Sequence, residues 1–275
     1  MAHYNNPPPP YPGTAGKTVP PAYDDAATQP LLGAVAGRSG VYDHSIGEFP
    51  DDFLYGPTVA ECALQIRNDF VRKVYTILFC QIVATTIVAG LISRDSQTVF
   101  WIVTHPWSFY VPLFGTLVNL GLLYWKRLDS PLNYILLSTF TLLEAFTLGV
   151  ATAFFDSTIV LQALLITVGV FLGLTLFTLQ SKYDFSGLGS YLFAGLVALL
   201  MTGVVGIFVP FSRTMDLVFA AGGCLLFSGY VIYDTYMITN RLSHDEHIAA
   251  AISLYIDFIN LFINILRLLN GVERD

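Results

Sequence analysis

Asp234 and Asp257 are the residues whose type and setting point most directly to chemistry. Each is a lone acid inside an apolar run, LLFSGYVIYDTYMIT for the first and ISLYIDFINLFINILRLL for the second. An ionised carboxylate among hydrocarbon side chains is costly, and such residues by default mark an ion or proton pathway. The second run carries more. Ser253, Asp257, Asn260, Asn264 and Arg267 follow one another at steps of four, three, four and three, which places them on one helical face. A polar stripe of this kind cannot face lipid, so the helix bearing it must be surrounded by others.

The elements that position these side chains follow from composition. The 275 residues are 54% hydrophobic and 12% charged, with a mean hydropathy of +0.61. Soluble domains carry about 25% charged residues. Seven apolar segments, Val74–Ile92, Ser108–Trp125, Leu132–Ala153, Ile159–Leu179, Leu188–Val209, Leu217–Ile238 and Ala249–Leu269, are near the roughly 20 residues that a bilayer crossing needs. They lack the period-two alternation of a barrel strand. The fold expected is an all-α polytopic membrane bundle of seven helices with the last one central. Gly203, Gly206, Gly222, Gly223 and Gly229 are expected to let helices approach closely. Cys62, Cys80 and Cys224 have no paired spacing and read as buried small hydrophobes. A net charge of −7 leaves no basic stripe for nucleic acid.

Residues 1–58 form a separate region. Ten of the fourteen prolines lie before residue 58, with six acidic residues and two basic ones, so the segment is expected to stay disordered. Residues 59–275 form the membrane domain, and no cleavable leader is visible. With the amino terminus in the cytosol, Arg67, Arg72, Lys73, Lys126, Arg127, Lys182 and Arg241 all fall on the cytosolic side. Only Arg94 and Arg213 fall in the opposite loops, which satisfies the positive-inside rule. Arg267 and Arg274 run against it. Either Arg267 is held in the interior, or the last segment re-enters without crossing.

In this topology Asp234 lies about 6 Å inside the cytosolic end of its helix and Asp257 about 12 Å inside the same face. Arg127 ends the second segment on that side and is placed to reach them, while Glu144 lies nearer the bilayer centre. Two adjacent carboxyls in a low dielectric cannot both ionise cheaply and titrate as a unit. A shared proton would latch the helices, and its loss would repel them or free Arg127. The same oxygens attract Ca²⁺, but that ion wants 6–8 oxygen ligands, so weak, transient occupancy is expected and no resident cofactor. The alternative is structural, with each aspartate capped by a hydroxyl such as Thr235 or Tyr255.

The stretches LFSGYVIYDT, SLYIDFINLFINILR and LNYILLSTFTLLEAFTLGV resemble the Bax-inhibitor (TMBIM, or lifeguard) family of multi-pass membrane proteins, over roughly residues 55–275. The resemblance implies seven helices with the last central, and residence in the endoplasmic reticulum, with vacuole or mitochondrion as alternatives. It also implies a pH-sensitive Ca²⁺ leak and suppression of cell death. The family's pH-sensing aspartate pair falls on Asp234 and Asp257, and its arginine latch on Arg127, with Lys126 beside it as the other candidate. Glu144, Ser253, Asn260, Asn264 and Arg267 would line the path.

Two matches to the PPxY pattern lie in the tail, one carried by Pro8, Pro9 and Tyr11, the other by Pro20, Pro21 and Tyr23. WW domains bind such segments as pre-extended polyproline II, so a WW-containing ubiquitin ligase is an expected partner. Lipid, Ca²⁺ and cell-death regulators are the others. A channel or Ca²⁺/H⁺ exchanger performs no covalent chemistry. Two further readings compete: a membrane scaffold for death regulators, and an intramembrane aspartyl protease. The protease reading is supported by Tyr233-Asp234 and opposed by the absence of a Gly-x-Gly-Asp before Asp257.

Overall fold

A computed structural model describes residues 64–273 apart from positions 210 and 244. The proline-rich tail, both PPxY matches, Cys62 and Arg274 lie outside the described residues. Eight α-helices follow in order: α1 (Leu64–Arg94), α2 (Ser96–Thr104), α3 (Trp107–Trp125), α4 (Leu132–Thr152), α5 (Ser157–Gln180), α6 (Gly189–Phe208), α7 (Arg213–Asn240) and α8 (His247–Glu273). A single 3-10 turn, Ser186–Leu188, leads into α6. Among the described residues seven helices are long and apolar enough to span a bilayer.

The helix starts are written in the sequence. Asp95 caps α2 through the Gln97 amide at 3.2 Å. Asp156 caps α5 through the Thr158 amide at 2.7 Å. Ser212 accepts from the Met215 amide at the start of α7. Each side-chain oxygen satisfies one of the amides that a first turn leaves without a partner. Within the spans, threonine hydroxyls donate back to the carbonyl one turn earlier, as from Thr141 to Leu137, Thr167 to Ala163 and Thr178 to Leu174. Such bonds allow a hydroxyl to sit in hydrocarbon unpenalised.

Helix α8 is the centre of the bundle. Of its membrane-length window 78% is buried, against 6–44% for the other six. It packs on α7, α5, α1 and α4, and Ile252, Leu254, Tyr255 and Leu261 are all essentially sealed. Its 27 residues rise about 40 Å, so it is long enough to cross and does not turn back. The outer faces of the other helices are apolar, with Phe79, Leu91, Leu165 and Leu225 exposed, a girdle suited to lipid.

Between helices in lipid, close packing and hydrogen bonds replace the hydrophobic drive available in water. The α1–α4 contact shows this: a Cβ on Gly149 would stand 2.9 Å from the Ala89 Cα, so only hydrogen fits. Of the glycines expected to admit neighbours, Gly206, Gly223 and Gly229 do so, whereas Gly203 has ordinary clearance and Gly222 faces open space. Two further expectations are corrected. The nine-residue α2 is too short to register as a span and was absent from the sequence reading. Cys80 lies exposed on the lipid side of α1 and Cys224 is half-buried, so the former is an outer-surface residue rather than a core one.

Candidate functional site

Helices α7 and α8 run antiparallel through a six-residue connection, and the contact between them is the most extensive in the molecule. That register brings Asp234 and Asp257 within hydrogen-bonding reach of each other. Asp257 is 4% exposed, and its buried Oδ2 accepts no hydrogen bond from any described residue. Asp234 is half-buried. A carboxyl can donate to another carboxyl only while it carries a proton, so two acids placed this close can bond directly only by sharing one. Tyr230, one turn from Asp234, lies within electrostatic reach of both. The hydroxyls weighed as structural caps are engaged elsewhere: Thr235 with Tyr75 at 3.4 Å, and Tyr255 with Thr85 at 2.7 Å. Neither serves an aspartate.

Arg127 follows α3 and points to a different acid. Its guanidinium meets Glu246 Oε1 at 2.9 Å, whereas the sequence placed it at the aspartates. Lys126, the other latch candidate, pairs with Asp129 at 2.8 Å inside its own loop. Next to the Arg127–Glu246 bridge, the Tyr134 hydroxyl and His247 Nε2 lie 3.0 Å apart. The α3–α4 loop is thereby fastened across the α7–α8 connection, at the same end as the aspartate pair. On the neighbouring α5–α6 loop, Asp184 is held at about 2 by the Ser186 amide and hydroxyl, then by the Tyr236 hydroxyl and Arg241.

The stripe on α8 runs inward from this end. Ser253 lies 3.5 Å from the Tyr124 hydroxyl. Asn260 donates to the Ile256 carbonyl, and Asn264 to that of Asn260. The Asn264 amide fills the space that a side chain on Gly223 would need. At the far end Arg267 forms an ion pair with Asp216 on the first turn of α7 and lies over the Phe219 ring, 5.1 Å from its centroid. Arg267 is therefore held by an ion pair with the protein, though half-exposed rather than sealed in the interior. Glu144 is half-buried at mid-membrane beside Tyr255, away from the aspartate pair in sequence and on a different helix.

Three groups at this site escaped the sequence reading: Glu246, Asp216 and the Thr85–Tyr255 pair. Asp216 was findable, since an antiparallel register that sets Asp234 opposite Asp257 also sets the start of α7 opposite Arg267. Among the described residues no cluster of three or more His, Cys, Asp or Glu side chains could hold a metal ion. The pair therefore offers a cation two carboxyls, with amide oxygens further along the stripe.

Comparison with known proteins agrees with this architecture. Residues 67–274 match the family described as Inhibitor of apoptosis-promoting Bax1. The chain is 41% identical to Bax inhibitor 1 of Schizosaccharomyces pombe over 253 residues, covering 91% of this chain and 95% of that one. It is 43% identical to Protein lifeguard 4 of Mus musculus over 82% of this chain and 94% of that one. It is also 42% identical to a Golgi anti-apoptotic protein of vaccinia virus, over 80% and 92%. With seven spans, the last of them central, this chain belongs to the Bax-inhibitor family of multi-pass membrane proteins.

Proposed function

We propose that this protein is a pH-sensitive Ca²⁺ leak pathway or Ca²⁺/H⁺ exchanger of an endomembrane, through which it regulates Ca²⁺ homeostasis and suppresses stress-induced cell death. The observation that carries the reading is the Asp234–Asp257 contact: two carboxyls within bonding reach on adjoining helices, one of them sealed. A proton and Ca²⁺ compete for the same oxygens. Ca²⁺ prefers hard oxygen donors and 6–8 of them. Two carboxyls and a few amides supply fewer, so the ion keeps part of its water and leaves readily. That suits passage and not storage. Binding of Ca²⁺ displaces the shared proton, and raising pH favours the ion.

The amide oxygens of Asn260 and Asn264 continue the polar face toward the Arg267–Asp216 pair, which closes its far end. The Arg127–Glu246 bridge fastens the near end. With the amino terminus in the cytosol, as the distribution of arginine and lysine favours, the near end is cytosolic. The names of the relatives support the link to cell death, and the viral one supports an endomembrane.

The test is Ca²⁺ flux in liposomes holding the purified protein and a trapped dye, over a series of pH values. Wild type is expected to leak with a pH-dependent rate, and Asp234→Asn with Asp257→Asn to flatten that dependence. Unchanged flux and pH profile in the double variant would sink the proposal. A protein that passes no Ca²⁺ yet protects cells would point to a scaffold for death regulators. Peptide cleavage lost in the same variant would point to a protease.

A further inference from the structure

A crevice of about 720 Å³ opens among α1, α4, α5 and α8. Its walls are α1 and α5, its floor is α8, and the end of α4 closes one side. That volume falls within the roughly 300–1,000 Å³ of small-molecule sites. The crevice is mostly hydrocarbon: Leu161 and Leu164 on one wall, Ile82 on the other, Phe258 and Phe262 beneath. Thr85 and Thr86 are the polar side chains along its length, and a denser polar group gathers where α1 ends and α5 begins, at Ser93, Arg94, Ser157 and Thr158. A helix terminus of a spanning segment lies at headgroup level, so the slot runs from the membrane surface into the acyl region.

Arg94 is the one charged residue on the wall and is exposed, with no ion pair to any described residue. The acids nearest in the chain are turned to their own helices. Asp95 accepts from the Gln97 amide and the Thr98 hydroxyl, and Asp156 from the Thr158 amide. Gly90 opens the slot further, for a Cβ there would meet nothing within 4 Å. An elongated apolar trough with a forked cation at its mouth matches the shape and charge of a phospholipid. A guanidinium binds a phosphate in bidentate fashion, and a free acyl chain fills what neighbouring helices leave empty.

We propose that this crevice is a phospholipid-binding site, with one acyl chain between α1 and α5 over Phe258 and Phe262 and the phosphate on Arg94. It stands independently of the Ca²⁺ reading. The floor adjoins Thr85, whose hydroxyl holds Tyr255 two residues from Asp257, so an occupant would brace the central helix.

The test is native mass spectrometry of the full chain from detergent, offered equal amounts of phosphatidylglycerol and of diacylglycerol with the same chains. Wild type is expected to retain the phosphate-bearing lipid about tenfold better. Arg94→Gln should bring the two to parity while chain binding persists. Gly90→Phe and Leu161→Trp, which fill the slot from opposite walls, should strip both lipids while the protein still elutes as a single species. Retention unchanged in both filling variants, or a phosphate preference surviving Arg94→Gln, overturns the proposal. So does a free fatty acid that outcompetes the phospholipid. If neither filling variant folds, the Arg94→Gln result decides.

Discussion

At one end of the α7–α8 contact a carboxyl faces a carboxyl, Asp234 against Asp257. At the other a carboxylate faces a guanidinium, Asp216 against Arg267. The two pairs share the same helices and the same antiparallel register, yet they neutralise charge by different means. Two ionised carboxylates about 4 Å apart repel by about 4 kcal/mol at an effective dielectric near 20, a cost that a shared proton removes. The second holds a permanent counter-charge, which no ordinary pH removes. Under the proposed function, one end of the hairpin is the point of exchange with the medium and the other a fixed clasp. That reading would place a pH response of the bundle at the Asp234 end.

The largest effect is expected from Asp257→Asn. Its amide can still donate to Asp234, which keeps the contact but leaves no shared proton to lose. The pH-dependent part of Ca²⁺ flux should vanish, together with proton release on adding Ca²⁺, read with a pH dye. Proton release that survives would show that the exchange point lies elsewhere. Next comes Gly223→Ala, midway between the two pairs. The methyl would overlap the Asn264 amide, and overpacking of this kind costs about 1–3 kcal/mol, measurable as a lower unfolding midpoint in detergent. If stability holds, the two ends are less rigidly joined than the packing implies.

A smaller change follows from Arg267→Gln. The pair it breaks is half-exposed, so the loss should stay below about 1 kcal/mol, and the pH profile should keep its midpoint. A shifted midpoint would couple the clasp to the exchange point. The smallest effect belongs to Asp184→Asn. The Asp184 carboxyl is held at about 2, chiefly by the Ser186 amide. Its pKa is depressed, so its contribution is fully present above the ordinary value of 3.8 and is lost only as pH falls through about 2. Between mildly acidic and mildly alkaline pH this variant should track wild type. Any divergence there would contradict the assignment of the response to the aspartate pair.

How much of this was legible beforehand depended on the range of the interaction. The seven spans were readable because hydropathy over about 20 residues is a strong, local signal. The central place of α8 was readable because Asp257, Asn260 and Asn264 share a face that lipid would reject. The meeting of Asp234 with Asp257 followed from two neighbouring helices and a short connection. Arg127 was misplaced for the opposite reason. Its partner Glu246 lies in a loop, where no periodicity reports direction, and a charge at a helix end can swing to several acids. Helix α2 was missed because nine residues carry too little pattern to be told from a connecting loop. The Arg94 crevice was beyond reach, since it is a gap between α1 and α5, two helices separated by the 62 residues from 95 to 156.

The central position of α8 also has a consequence for biogenesis. Ribosomes deliver this helix after α1, α4, α5 and α7, the spans that pack on it, so those spans must wait in the bilayer around an unfilled slot. Until Asp257 and its neighbouring amides arrive, nothing plugs the hollow. A nascent chain arrested before residue 247 would present an unfinished, poorly sealed ring to the quality-control machinery of its membrane, and completion would come as a single late insertion down the middle.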